Sequence, residues 1–473
     1  MSDIFSPPDW IEARPYQQQA VDSWAEAGGR GILRMATGTG KTITGLLAAV
    51  RAAAALEGRL LLVVAAPYQH LVDQWANEIR EFGEEPVFAY QSRQNWQPRL
   101  ERQILEYNQG SRGICTVVTT HTTLSMGGAQ STLNRANGPA MLIADEVHHL
   151  GSDHMQSGLL EDFDYRLGLS ATPERYYDEE GTQKLRSYFG ETVFEYDLTD
   201  AIESGALCEY YYVPHIIELD GEELDEYLHI SQKIGRMIGG SDEGEEGSVS
   251  FEHNQALQHL LFKRARLIGT AENKLEVLID LIGREHDVSH ALVYCSDGSM
   301  GVKGDGRRHV GETTERLRSE CNLRIEPFTA EESQADRERL LSEFEAGEID
   351  VLSAIRCLDE GVDVPATRTA YILASSSNPR QYVQRRGRIL RQHKDKQYAV
   401  IHDFVVVAGL SRPTEAMTGD SFGVERRLLK KELNRVSLFA EDALNHPNAD
   451  VSGVPTTSGS LQELKRKYDL LDA

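Results

Sequence analysis

The run Ile32-Leu33-Arg34-Met35 passes through Ala36-Thr37-Gly38-Thr39-Gly40 into Lys41-Thr42, and then into a stretch dense in Ala and Leu that lasts to Leu56. Strand, glycine-rich turn and helix in that order constrain the fold more than anything else in the chain. The glycines let backbone N–H groups approach a phosphate closely, and the helix N-terminus adds a favourable dipole. Lys41 is placed to reach the β/γ-phosphates and Thr42 to ligate magnesium, with Thr37, Gly38, Thr39 and Gly40 forming the loop. Met35 stands where the full Gly-x-x-x-x-Gly-Lys-[Ser/Thr] pattern has its first glycine. A second apolar run, Ala140 to Ala144, ends on Asp145-Glu146. Two carboxylates released at the edge of the same sheet imply a division of work in nucleotide hydrolysis. Asp145 would organise Mg²⁺ and Glu146 would orient or deprotonate the attacking water.

The same α/β rhythm continues around these motifs. Leu60–Ala66 and Thr116–Thr120 read as strands buried on both faces, which is the signature of a parallel sheet with its active loops at the strand C-termini. The rhythm breaks over 215–275, where helical stretches flank the polar, glycine-rich run 239–247. It resumes with Ala291–Cys295, Ile349–Ser353, Thr369–Leu373 and Tyr398–His402. From Val424 to Leu444 the spacing of Leu429, Leu433, Val436, Ala440 and Ala443 predicts an amphipathic helix. A Pro/Ser/Thr/Gly linker over 446–460 and a short helix over 461–472 close the chain. The resulting division is 1–207 for the first α/β domain, 208–275 for a linker and helical insertion, 276–410 for the second α/β domain, and 411–473 for a helical tail.

Composition excludes several classes. No run of apolar residues is long enough to span a membrane, and the N-terminus lacks the basic and apolar regions of a secretory signal, so a cytoplasmic location is expected. Cys115, Cys208, Cys295, Cys321 and Cys357 lie far apart with no Cys-x-x-Cys, which argues for a reducing compartment and for cysteines acting as small core hydrophobes. The net charge is −25, and of 49 basic residues 12 are Lys and 37 Arg. A high-salt cytoplasm and an Arg-favouring, GC-rich genome each account for that bias. Either way a polyanion must be met by local basic patches rather than by the overall field.

The string Asp145-Glu146-Val147-His148, followed by Ser170-Ala171-Thr172-Pro173, resembles motifs II and III of the superfamily 2 helicases. Ala66-Pro67-Tyr68-Gln69-His70-Leu71-Val72-Asp73-Gln74-Trp75 resembles motif Ia, and Thr119–Leu124 a later strand-contact motif. Leu358–Pro365 is similar to motif V and Gln384–Arg391 to motif VI. The likeness covers about 10–405 and keeps the motif order. Its wording, Met-Ala-Thr-Gly-Thr-Gly-Lys-Thr with Asp-Glu-Val-His-His, is similar to the branch holding XPB-like DNA helicases and restriction-enzyme motors, although no Arg-Glu-Asp tripeptide occurs. Ile355-Arg356 stand where DEAD-box RNA helicases carry Thr-Asp.

The resemblance implies two RecA-like domains, ATP and Mg²⁺ as ligands, and DNA as the partner. It implies that Arg14 and Gln17 sense the adenine, that Gly361, Asp363 and Gln384 belong to the nucleotide site, and that Pro67, Gln69, Thr120 and His121 touch nucleic acid. His148, Ser170 and Thr172 would couple hydrolysis to movement. Gln384, Arg388 and Arg391 fall at i, i+4 and i+7, on one face of a helix that starts after Asn378 with Pro379. That face would deliver Arg388 and Arg391 to the transferring phosphoryl group as arginine fingers. Among the basic clusters, Lys263-Arg264-Ala265-Arg266 in the insertion is the leading candidate for gripping DNA. Lys303, Arg307, Arg308 and His309 form a second cluster. The third, Arg426, Arg427, Lys430, Lys431 and Arg435, reads as an ion-paired surface over a docked apolar stripe. An ATP-dependent DNA helicase or translocase is therefore expected, with an RNA helicase or an ATP-switched motor subunit as rivals. No nuclease or methylase motif is visible, so any cutting would fall to a partner subunit.

Overall fold

A computed structural model describes residues 5–175, 178–239, 255–285, 288–296, 308–329, 331–355, 364–374, 379–407, 419–446 and 465–466. The chain divides into two units, Met1–Leu207 and Cys208–Ala473.

Seven described strands form the sheet of the first unit: β1 (Arg30–Met35), β2 (Leu60–Ala66), β3 (Val87–Ala89), β4 (Ile114–Thr120), β5 (Ala140–Asp145), β6 (Tyr165–Ser170) and β7 (Thr192–Tyr196). Their order is β3-β4-β2-β5-β6-β1-β7, and every pairing is parallel. Both faces are covered by helices, so β2, β4 and β5 are buried at every residue. The sequence runs reflect this: a strand wet on neither face has no reason to alternate. Strands β3, β6 and β7 were not foreseen. Strand β6 hides Arg166, whose guanidinium donates to the carbonyls of Phe163, Tyr188 and Glu161 and lies over the Tyr188 ring.

The helix Lys41–Ala55 follows β1 directly. Gly45 inside it permits close packing, because a Cβ there would fall 2.9 Å from the Trp75 ring and 3.1 Å from Leu169. Trp75 comes from the next helix, Gln69–Glu81, which buries Val72, Trp75, Ala76 and Ile79 on the sheet.

The described strands of the second unit are β8 (Glu209–Glu218), β9 (Ala291–Tyr294), β10 (Ile325–Phe328), β11 (Val351–Ala354), β12 (Thr369–Ile372) and β13 (Tyr398–Val407). They run β10-β11-β9-β12-β13-β8, again all parallel. One reading is corrected here. The segment opening at 208 is not simply linker and insertion, because β8 pairs with β13 along ten residues. Pro214 in that run argues against an interior strand, and β8 lies at the edge of the sheet, where a missing N–H costs little. Helices Gly221–Gly239 and Gln255–Gly269 follow and pack on each other around Ile230, Ile234 and Leu257.

The tail helix, Gly419–Glu441, buries Leu429, Leu433, Val436 and Ala440 as its spacing predicts, and Ala443 beyond it is buried too. Arg435, assigned above to an exposed ion-paired face, is instead buried. Its Nε and Nη2 grip Asp403 of β13 at 3.0 and 3.1 Å, and Asp403 also accepts from the Tyr212 hydroxyl at 2.8 Å. The run 239–247 lies outside the described residues but for Gly239, and of the segment 461–472 only Lys465 and Arg466 are described. Cys115, Cys208 and Cys295 are buried, Cys321 is half-buried, and no described helix is long and apolar enough to cross a membrane.

Candidate nucleotide and nucleic-acid site

The order β4-β2-β5-β6-β1 places five loops side by side at the C-terminal edge of the first sheet. Four strand spacings separate the outermost two, about 19 Å. The loop after β1 carries Thr37–Gly40, β5 ends on Asp145, and Ser170 ends β6. The loops after β2 and β4 carry Pro67–Gln69 and Thr120-His121.

Gly38 and Gly40 both adopt the left-handed conformation, at φ 89° and 82°. Gly40 is the residue before the helix Lys41–Ala55, so the loop turns straight into free helix N–H groups. A Cβ on Gly40 would also meet Gln17 Nε2 at 2.9 Å, so glycine is required twice over. Thr39 Oγ1 donates to the Ala36 carbonyl at 2.7 Å and Tyr16 donates to the Thr39 carbonyl at 2.8 Å, bracing the loop from both sides. Lys41 Nζ lies 3.3 Å from the Met35 carbonyl, at the loop mouth. Thr37 Oγ1 is buried without a hydrogen-bond partner among the described residues.

Gln17 braces the loop. Its Oε1 accepts from Arg14 N at 3.0 Å, and its Nε2 lies 3.4 Å from the Gly40 carbonyl. Arg14 is exposed, with its guanidinium 3.2 Å from the Tyr16 hydroxyl. The Tyr16 ring stacks on Tyr196 at 4.0 Å, a support that nothing in the sequence signalled.

Asp145 is buried. Its Oδ2 accepts from the Trp75 indole at 2.9 Å and its Oδ1 from Glu146 N at 2.9 Å. Burial and the adjacent Glu146 carboxylate push its pKa up, while the Trp75 hydrogen bond and Lys41 pull it down. A cation is what this carboxylate wants, and the oxygen-only pair of Thr42 and Asp145 suits a hard ion such as magnesium. Glu146 takes φ 45° and ψ 52°, a left-handed conformation uncommon outside glycine, ahead of the 3-10 turn Val147–Gly151. Its Oε2 accepts from Ser170 Oγ at 3.4 Å and lies 3.5 Å from His148 Nδ1, which is itself 3.1 Å from Ser170 Oγ. Thr172 N donates to Ser170 Oγ at 3.1 Å. The structure thus brings His148, Ser170 and Thr172 together with Glu146 in one network.

Pro67 is half-buried and Tyr68 and Gln69 are exposed. Thr120 and His121 are buried. Thr120 Oγ1 caps the short helix His121–Leu124 by accepting from Thr123 N at 3.1 Å. Burial, with His149 nearby, pushes the His121 imidazole down to about 3, so it brings no positive charge to a phosphate.

In the second unit the helix Pro379–Ile389 begins at its proline. Gln384 and Arg388 lie on it, but Arg391 stands two residues past its end, so the three do not share one helical face. Burial lowers Arg391 to about 10. Two neighbours are committed to the unit's interior. Arg385 donates to the Ala374 carbonyl at 2.8 Å, and Arg386 donates to the Leu438 carbonyl at 2.7 Å. Lys396, not foreseen, donates to the carbonyls of Pro365, Thr367 and Ile389 at 2.9, 3.1 and 2.9 Å. It ties the end of the motif V segment to the end of the motif VI helix. Gly361, Asp363, Lys303 and Arg307 lie outside the described residues.

On the insertion, Lys263 pairs with Glu226 of the neighbouring helix, Arg264 is half-buried and Arg266 is exposed. Arg308 pairs with Glu331, while His309 is buried and accepts from Ser296 N at 2.9 Å.

Two family models match the chain: "Type III restriction enzyme, res subunit" over 10–175 and "Helicase conserved C-terminal domain" over 273–393. The DNA 3'-5' translocase XPB2 of Sulfurisphaera tokodaii is 26% identical over 83% of this chain and 81% of its own length. The chain spans 52% of each of two further relatives, from Haloarcula marismortui and Halobacterium salinarum. Among solved structures, the ATP-dependent Type ISP restriction-modification enzyme LlaBIII bound to DNA is 14% identical, with a TM-score of 0.60 over 97% of this chain and 32% of that one. The Hef helicase domain of Pyrococcus furiosus is 16% identical, with a TM-score of 0.52 over 84% of this chain and 96% of that one. Likeness at that level shows the fold, two RecA-like α/β domains.

Proposed function

This chain belongs to the superfamily 2 helicases, in the branch of XPB-like translocases and restriction-enzyme motors, and from that premise we propose that it hydrolyses ATP to move along or unwind DNA. The observation that carries the reading is the row of loops on the first sheet. Motifs scattered from Gly38 to Ser170 in sequence stand together, phosphate loop at one side, Pro67–Gln69 at the other, and Asp145-Glu146 between.

Gly38, Thr39 and Gly40 present backbone N–H groups to the phosphates and Lys41 adds its charge. Gln17, with Arg14, would read the adenine, as the resemblance implies. Thr42 and Asp145 would hold magnesium, whose charge offsets that on the phosphoryl oxygens. Glu146 orients the water that attacks the γ-phosphorus. In the second unit the resemblance assigns Arg388 and Arg391, with Gln384, to the nucleotide's transferring phosphoryl; Gly361 and Asp363, assigned likewise, lie outside the described residues. Arginines engaging at the transition state can supply ~10³–10⁵ in rate. His148, Ser170 and Thr172 pass the state of Glu146 to the rest of the unit.

Pro67 and Gln69 contact the nucleic-acid backbone, with Thr120 and His121 acting from below as supports. Lys263, Arg264, Arg266 and Arg308 supply the electrostatic contribution that a chain of net charge −25 cannot supply at long range. The test is ATP turnover with and without single-stranded DNA, duplex DNA and RNA. Stimulation by DNA over RNA supports the reading, stimulation by RNA alone replaces it with an RNA helicase, and indifference to all three refutes it. The restriction-subunit family model favours a motor that works beside a nuclease or other subunit, which co-purification with its neighbours' products would reveal.

A further inference from the structure

Strands β4, β2 and β5 are neighbours in the first sheet, and each delivers an aromatic ring at its C-terminal end. Tyr68 follows β2, His121 follows β4, and His148-His149 follow β5. The half-buried ring of His149 meets all three of the others. It lies edge-on to Tyr68 at 5.9 Å and 79°, 6.2 Å from His121, and 4.4 Å from His148. Beyond His148 the chain of contacts continues to Ser170 Oγ and Glu146 Oε2, at 3.1 and 3.5 Å. At its other end Tyr68 is 37% exposed and stacks on His70 at 5.7 Å and 4°, presenting a flat face beside Pro67 and Gln69.

We propose that His149 is the positioning residue through which a nucleic-acid strand seated on the loops after β2 and β4 sets the orientation of Glu146. Two features make this arrangement more than proximity. First, His149 is in the 3-10 turn Val147–Gly151, whose preceding residue is Glu146 itself, held in a left-handed conformation. A shift of the turn therefore moves the backbone that carries the catalytic carboxylate, and the strained conformation is held only by its surroundings. Second, the interior below is close-packed, with His121, Val147, His148 and Leu150 all buried, so a displaced Tyr68 ring has no slack to absorb its motion before His149. The Ser170–His148 contact reads the state of Glu146, and His149 supplies what reaches it from the nucleic-acid side.

The proposal rests on the functional reading above, and the test separates the two. Basal and DNA-saturated kcat, KM for ATP, DNA affinity by anisotropy of a labelled oligonucleotide, and melting temperature are measured for wild type, His149→Ala and His149→Phe. The ratio of DNA-saturated to basal kcat should fall about fivefold or more in His149→Ala, with DNA Kd changed by less than about twofold. His149→Phe keeps a flat ring of similar reach and should recover at least about half of the lost stimulation. A wild-type enzyme indifferent to nucleic acid overturns the functional reading and this inference together. A stimulated wild type whose ratio is unchanged in His149→Ala overturns the inference alone. So does a variant that loses basal and stimulated turnover in proportion, which marks a structural role, or one that loses DNA affinity, which marks a direct contact. Phe behaving as Ala also overturns it, because ring packing would then not be the carrier.

Discussion

Replacing Trp75 by Phe removes the N–H that holds Asp145, together with part of a buried ring. That N–H donates to Asp145 Oδ2 at 2.9 Å, and Trp75 and Asp145 are 1% and 7% exposed, so no water takes its place readily. Hydrogen bonds to a charged acceptor contribute about 1.5–3 kcal/mol, against about 0.5–1.5 for a neutral pair. Trp24 supplies the comparison. It is 2% exposed in the same unit, and its indole donates at 3.1 Å to the carbonyl of Arg166, a neutral acceptor. Both Trp→Phe changes lose similar ring volume, so the difference between them isolates the carboxylate bond, about 1–1.5 kcal/mol more destabilising at Trp75. Turnover should separate them further. A carboxylate released from its one side-chain donor among the described residues is misplaced for the phosphates, and displacement of that kind costs about 10²-fold. Denaturant unfolding followed by circular dichroism, and kcat at saturating ATP and magnesium, decide the matter. Equal stability losses with equal kcat for the two variants would refute the view that Trp75 holds Asp145 in register.

Lys41→Ala should abolish turnover and weaken nucleotide binding, whereas Glu146→Gln should keep ATP affinity and lose hydrolysis; near wild-type turnover in Glu146→Gln removes it from the water-orienting role. Arg388→Ala should cut kcat by at least about 10³ with little change in ATP affinity, because a finger acts in the transition state; equal losses in both would mark a binding residue instead. Changing Lys263, Arg264 and Arg266 together to Ala should weaken DNA binding and lower the slope of log K against log salt by about one unit for each phosphate contact removed. Normal DNA binding with a lowered melting temperature would leave Lys263–Glu226 as a stabilising pair of the helical insertion and nothing more. Arg435→Ala strands the buried Asp403 carboxylate and should cost about 3–5 kcal/mol; a loss below about 1 kcal/mol by denaturant unfolding would contradict the buried pairing.

What could be read in the sequence followed from how completely each element is buried and how local its chemistry is. Strands β2, β4 and β5 are continuous apolar runs because both faces are covered, and Gly40-Lys41-Thr42 announces a phosphate loop by residues that act on their own neighbours. Strand β8 was illegible for the opposite reason. Its partner is β13, far along the chain, and its proline reads as a break until the edge position is known. Arg435 and Arg166 look like surface charges in sequence, and only the carbonyls and carboxylates folded around them explain their burial. Arg391 was placed on a helical face by counting residues, but the helix ends at Ile389 and the count no longer applies. His149 closes the Asp-Glu-Val-His-His string, but its contacts were illegible, since they reach the ends of strands that only the sheet order makes adjacent.

The edge position of β8 also sets a clock. Tyr210 in that strand donates to the carbonyl of Phe439, 229 residues later, and Tyr212 N donates to Asn445 Oδ1 across 233. At ribosomal speeds that interval lasts roughly 10–50 s. Until Ala399 of β13 arrives to pair with Tyr210, 189 residues after it, the first unit, whose pairings close by residue 196, can complete its sheet, while a strand bearing Tyr210, Tyr211 and Tyr212 waits without its partner strand. The emerging chain therefore carries an unpaired, tyrosine-bearing strand for about two-fifths of its length.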